Sequence, residues 1–309
     1  MGLWQHTLNN PIQAAGVGLH SGRQIRLTLR PAAANTGIRF RRIDLDPVVE
    51  IQASAATVVD TRLATTLGVG DVRVGTVEHL LSALAGAGVD NLCIDVDAPE
   101  LPIMDGSAAP FLFLLHSAGL RAQPARRRYL RITETVAHIE DDVTAMLKPG
   151  DGYRLEYTLD YDHPVLKEHS NRVCVDFSTS AYQRELSRAR TFGLMTEFEA
   201  LRERDLVRGG SLANALVVGQ DGIVNEHGLR LRDEFARHKI LDAMGDLALL
   251  GYPLIGTFVG YKSGHSANTA LLDRLLSRDE AFEILTFETE AQLPPGYGPP
   301  AELALAESA

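Results

Sequence analysis

The chain has 309 residues, 45% hydrophobic and 23% charged, with a formal net charge of −10. This is the composition of a folded globular protein long enough for two domains with their own cores, and it excludes a disordered chain. The acidic balance argues against a general nucleic-acid binder and requires that any anionic substrate be met by local Lys or Arg side chains.

From the N-terminus, residues 1–6 have neither a basic start nor an apolar core, so no signal peptide is expected. His6 also stands where a myristoylation motif wants Ser or Thr. Residues 25–30 and 38–41 alternate with period two, as half-buried strands do, and the glycine-punctuated stretch 15–22 before them reads as a turn. Short β-like runs follow over 47–75. A helix capped by Thr76 then presents Leu80, Leu81 and Leu84 on one face and stops at Gly86 and Gly88. Residues 91–97 return as a strand, and a second helix from Ala109 ends near Gly119. Pro124 and the basic residues Arg121, Arg126, Arg127 and Arg128 break the pattern, and a solvated connector is expected there.

The second half repeats the order of strands, helix, strand, helix. Residues 130–132, 153–159 and 173–177 read as strands, 180–186 as a helical turn and 196–208 as a charged helix with Phe198, Leu201 and Leu206 inward. A hairpin is expected over 216–224. A long helix runs from about Asp233 to Leu250, a strand over 254–260, a turn at 264–266 and a last helix over 267–276. The fold class is α+β, with domains at 1–121 and 129–286, a linker at 122–128 and a loose tail at 287–309. No apolar run reaches the roughly 18 residues of a membrane span. Cys93 and Cys174, each inside an apolar run, read as buried free thiols in a reducing cytoplasm, and two such cysteines exclude a Cys-rich structural zinc site.

The long helix carries the most suggestive pattern. Four residues advance a helix by about 400°, so His238, Asp242 and Asp246 share one stripe. A His and a carboxylate one turn apart can hold one metal ion, whereas residues about 12 Å apart along the axis cannot. His238 and Asp242 are therefore the candidate ligand pair, and Asp246 has another task. Thr76-Val77-Glu78-His79, at a helix start, can supply one more ligand and a base for an attacking water. Alone, Glu78 reads more readily as an exposed first-turn carboxylate favoured by the helix dipole, and the second His-plus-carboxylate cluster at 238–242 moves the balance. His265, in a glycine-flanked turn, is placed as a general acid that Asp246 would orient; alone it reads as a surface histidine.

Six ordered motifs carry a resemblance: residues 16–22 (GVGLHSG), 76–84 (TVEHLLSAL), 102–107 (PIMDGS), 189–193 (ARTFG), 238–242 (HKILD) and 264–265 (GH). Together they resemble the UDP-3-O-acyl-N-acetylglucosamine deacetylases, zinc enzymes of lipid A synthesis in Gram-negative bacteria. The resemblance implies two similar domains, each a sheet with two helices, with the helices sandwiched between the sheets and the active site at the domain interface. It implies Zn2+ on His79, His238 and Asp242, Glu78 as general base, His265 as general acid supported by Asp246, and Thr191 helping to hold the carbonyl oxygen. Phe192 and Lys239 match substrate-contacting positions, and Lys262 sits where a phosphate contact is useful. An acyl passage is expected over 193–224, with Leu194, Met195, Phe198, Leu201 and Leu212 as lining or as ordinary core. The partner implied is a UDP-acyl-sugar small molecule, with no nucleic acid and no integral membrane segment, bound by a cytoplasmic monomer. A zinc amidase for another acylated sugar nucleotide is the alternative enzyme. A binding module with structural metal is disfavoured, since structural zinc closes four protein ligands and commonly uses Cys.

Overall fold

The computed structural model describes residues 2–169, 172–203 and 206–298. The first half supplies Trp4–Leu8 (β1), Ile12–Val17 (β2), Gln24–Pro31 (β3), Ile38–Arg42 (β4) and Val49–Gln52 (β5). Three short strands follow, Val58–Asp60 (β6), Thr66–Val69 (β7) and Val72–Val74 (β8), then Glu78–Ala87 (α1), Leu92–Val96 (β9) and Ala109–Ala118 (α2). Next come Leu120–Arg126 (β10), Tyr129–Ile132 (β11), Val136–Glu140 (β12), Val143–Lys148 (β13) and Tyr153–Thr158 (β14). Pro164–Lys167 (α3), Arg172–Asp176 (β15), Thr179–Ala181 (α4), Phe192–Leu194 (β16), Met195–Glu203 (α5) and Leu216–Val218 (β17) lead to the long helix Glu234–Leu247 (α6). Leu254–Tyr261 (β18), His265–Leu276 (α7) and Phe282–Leu285 (β19) complete the order.

The fold is α+β. One sheet has the order β2-β3-β9-β4-β5, with β4 and β9 parallel and the other pairs antiparallel. A seven-stranded sheet is built around β18, which pairs with β11, β13 and β14. Helix α2 packs on β2 and on α1, α1 packs on α6, α6 packs on β14 and α7, and α7 covers β12 and β13. The four long helices thus form the layers between the two sheets, with α1 against α6 in the middle.

That position explains the composition of α1, which is apolar nearly all round and buried on every face except at Ala85. On α6, Phe235, Ile240, Leu241, Met244 and Leu247 are all at most 2% exposed. Gly245 permits the crossing: a Cβ there would lie 2.1 Å from the carbonyl oxygen of Glu78. The start of α1 and the last turn of α6 are therefore in backbone contact, which only glycine allows.

Several local expectations change. The stretch read as a solvated linker is mostly strand β10, paired with β1 (Leu8↔Leu120, His6↔Ala122, Trp4↔Arg126). Its Pro124 lies where the register shifts, so no ladder bond is lost to the missing N–H. Arg127 is buried against Asp90 at 2.8 Å, and Arg126 stacks 4.4 Å above Trp4. The first part of the supposed tail is packed: Tyr297 is 2% exposed and its hydroxyl donates to Leu254 O, while Phe287 meets Tyr129 at 5.3 Å. The rest of that tail, residues 299–309, lies outside the described residues. The turn expected at 15–22 begins later, because Ala15–Val17 extend β2. Within the described residues the charged helix covers Met195–Glu203, and none of these residues is buried. Cys174 is exposed and Cys93 half-buried, because β15 turns Val173 and Val175 inward and its alternate residues out. Thr76 does not cap α1; its φ is 56°, and Val77 holds the cap position. The expected hairpin is present, through Val218↔Ile223, and β17 also pairs with β16. Among the described residues no helix is long and apolar enough to cross a membrane.

Candidate active site

Helix α6 places His238, Asp242 and Asp246 on successive turns, all buried. Asp242 Oδ1 is 3.2 Å from His238 Nε2 and 3.5 Å from His79 Nε2 at the start of α1. One ligand atom from each of the three lies within 4.8 Å of the others, and the two rings meet edge to face at 5.0 Å. His238 Nδ1 lies 3.0 Å from the carbonyl oxygen of Ala189. A carbonyl only accepts, so Nδ1 carries the proton and Nε2 turns its lone pair to the cluster. Lys239 donates to Asp242 Oδ2 at 3.1 Å, but Asp242 Oδ1 is buried without a hydrogen-bond partner.

The electrostatics agree with this donor set. Burial pushes the pKa of His238 down to about 4 against the pull of Asp242, so the ring is neutral. Burial alone would raise the pKa of Asp242, but His238, Lys239 and His79 outweigh it and hold the carboxyl well below its usual range. For His79 burial opposes charge, yet the neighbouring carboxylates of Asp242 and Glu78 raise its pKa, so a cation there would compete with a proton. Two imidazoles and an ionised carboxylate with an orphaned buried oxygen suit a divalent cation, and they leave a coordination position open.

Glu78 is 3% exposed, and its Oε2 accepts from Thr65 N at 3.0 Å. Burial raises its pKa, with His265 and His79 pulling the other way. Beside it, His265 Nδ1 is 3.0 Å from Asp246 Oδ2 and 3.2 Å from Oδ1, and Asn268 and Thr65 also donate to this carboxylate. Burial would lower the pKa of His265, but Asp246, Glu78 and Asp242 more than offset it and raise it to about 9. His265 is the first residue of α7, not part of a turn preceding it. The predicted metal cluster and the predicted acid–base residues are thus brought together by the contact of α6 with α1 and α7.

Thr191 is placed by the 102–107 motif and by a buried ion pair whose partner in α6 the sequence does not reveal. Its N–H donates to Gly106 O at 2.7 Å, and the neighbouring Asp105 accepts from Ser107 and from Arg230. Next to it Arg190 forms a buried pair with Glu234 at 2.8 Å, which ties the Ala189–Thr191 loop to the start of α6. Phe192 sets its ring 6.3 Å from that of His238. Lys239 is engaged with Asp242, and Lys262, with φ 54°, is paired with Asp142. No local pattern flags a backbone carbonyl such as Ala189 O or a lone threonine such as Thr65.

A cavity of about 350 Å³ opens beside Thr76, with His20, Leu63, Ala64, Leu201 and Leu206 among its walls. Of the five residues expected along an acyl passage, only Leu201 is in this lining. Leu194 and Met195 are half-buried nearby in sequence, Phe198 packs over Gly193 and Gly210, and Leu212 is half exposed. The glycine-rich turn at His20 is held by Glu100, which accepts from the N–H groups of His20 and Ser21. A narrower cavity of about 100 Å³, between Leu81, Leu84, Met244 and Leu247, holds none of the metal-cluster or acid–base groups.

Comparison with known proteins gives one consistent answer. Residues 5–277 match the family described as UDP-3-O-acyl N-acetylglycosamine deacetylase. The chain is 52% identical over 293 residues to the UDP-3-O-acyl-N-acetylglucosamine deacetylase of Alcanivorax borkumensis, covering 95% of this chain and 96% of that protein. It is 53% identical over 293 residues to the enzyme of that name from Pseudomonas entomophila, covering 95% and 97%. With that of Coxiella burnetii it shares 52% over 300 residues, covering 97% and 99%.

Proposed function

Since the chain belongs to the family of UDP-3-O-acyl N-acetylglycosamine deacetylases, we propose that it hydrolyses the N-acetyl group of a UDP-3-O-acyl-N-acetylglucosamine, a step of lipid A biosynthesis. The observation that carries the reading is the buried group of His79, His238 and Asp242 beside Glu78 and the His265–Asp246 pair.

The ion assigned to His79, His238 and Asp242 is zinc, which when bound supplies Lewis-acid polarisation of the amide carbonyl and of the attacking water. Glu78 takes the proton of that water as it adds to the carbonyl carbon. The Thr191 hydroxyl donates to the carbonyl oxygen as negative charge develops there. His265, its Nδ1–H held on Asp246, gives a proton from Nε2 to the departing nitrogen, and the C–N bond breaks to leave acetate and the free amine. Phe192 and Lys239 are read as substrate-contacting residues, Leu194 and Met195 as part of the acyl passage, and Lys262 as a phosphate contact in a chain that is otherwise acidic.

Removal of metal by a chelator is expected to abolish acetate release, and zinc to restore it. Turnover in a sample shown to be free of metal would overturn the scheme. Comparing the UDP-acyl-sugar with simple N-acetyl sugars separates this substrate from that of a general amidase. The pH profile has a definite sign. The base must be deprotonated, and burial raises Glu78, so the acid limb of kcat/KM lies above the usual carboxylate range. The acid must be protonated, and His265 is raised to about 9, so activity persists through neutrality and falls near pH 9. An alkaline limb near the ordinary histidine value would remove His265 from this role.

A further inference from the structure

We propose that Thr65 is a positioning residue that locks the base and the acid of this site into one hydrogen-bonded unit. The proposal rests on the reading of Glu78 as base and His265 as acid.

Thr65 is fully buried, and each of its polar groups is used. Its N–H donates to Glu78 Oε2 at 3.0 Å, and its carbonyl accepts from Val77 N at 3.3 Å. Its hydroxyl donates to Asp246 Oδ1 at 2.6 Å. The first two contacts fasten the residue to the first turn of α1. The third reaches α6, 181 positions away in the chain.

The direction of the third bond is fixed by chemistry. Thr has one hydroxyl proton and an ionised carboxylate only accepts, so Thr65 is the donor. Asp246 is then held at both oxygens, by Thr65 on Oδ1 and Asn268 on Oδ2, with His265 Nδ1 between them. A carboxylate held on both sides cannot swing away from the imidazole it orients. Among the described residues the Thr65 N–H is the one hydrogen bond to the Glu78 carboxylate, and it leaves Oε1 free for the water's proton. Thr65 thus sets the distance between the group that takes a proton and the group that anchors the proton donor. An ordinary buried threonine would return its hydroxyl to a nearby backbone carbonyl; this one spans two helices and ends on a catalytic carboxylate.

The test compares Thr65→Val, which keeps the shape and removes the donor, with Thr65→Ser, which keeps the donor. Thr65→Val is expected to lower kcat by about tenfold to a hundredfold, the usual cost of losing an outer hydrogen-bond partner, with KM and zinc content unchanged. Thr65→Ser is expected to recover most of that loss. If Thr65→Val melts below the assay temperature, Thr65→Ala takes its place with the same expectation. Wild-type kcat in the donor-less variant, a serine variant as slow as the valine one, or kcat and zinc lost together would each overturn the proposal. Glu78→Gln and His265→Ala belong in the same assay. If they too retain turnover, the acid–base reading itself fails and the proposal with it; if they lose it and Thr65→Val does not, the proposal alone fails.

Discussion

Glu78→Gln is expected to lower kcat by about 10²- to 10⁴-fold, the range of a general base, while the protein still takes up its metal. The substitution is nearly isosteric, and the glutamine oxygen can accept the Thr65 N–H that the carboxylate accepts now. What it cannot do is take a proton. Glu78 is also outside the three-atom metal cluster of His79, His238 and Asp242, so zinc content measured on the purified variant should match the parent. A variant that turns over normally would show that another group takes the proton. A variant that loses zinc in step with activity would place Glu78 among the ligands instead.

Glu234→Ala is expected to cost about 3–5 kcal/mol of folding stability, because it strands a buried guanidinium. Glu234 is fully buried and receives Arg190 through the backbone N–H at 3.0 Å, Nε at 2.8 Å and Nη2 at 3.2 Å. The loss should appear as a lower denaturant midpoint with an unchanged slope. It should also reach the active site. Ala189, on one side of Arg190, gives the carbonyl that fixes the His238 tautomer, and Thr191 is on the other. Zinc affinity should therefore fall with stability. An unchanged midpoint would mean that the pair contributes nothing net.

The two expectations draw on features of different legibility. Glu78 was visible in the sequence because it stands beside a histidine at a helix start, in a motif shared with a known family. The pairing of Glu234 with Arg190 was not, since nothing in a single acidic residue at the start of a helix says which buried arginine it will meet. The short strand β10 escapes a local reading for a related reason: Pro124 and its flanking arginines look like a connector until β1 pairs with Leu120–Arg126 and a register shift absorbs the proline.

By itself the sequence determined the stripe of His238, Asp242 and Asp246, because a spacing of four on a helix is a local property that needs no partner. It also determined the α+β character, whereas the close crossing of α1 and α6 at Gly245 emerged only from the packing. Only the tertiary structure decided that His79 reaches the same oxygen as His238, that Asp246 is shared by Thr65, Asn268 and His265, and that Ala189 turns its carbonyl to His238. Those contacts join residues far apart in the chain. Their geometry is set by how helices pack between sheets, and no local pattern encodes it.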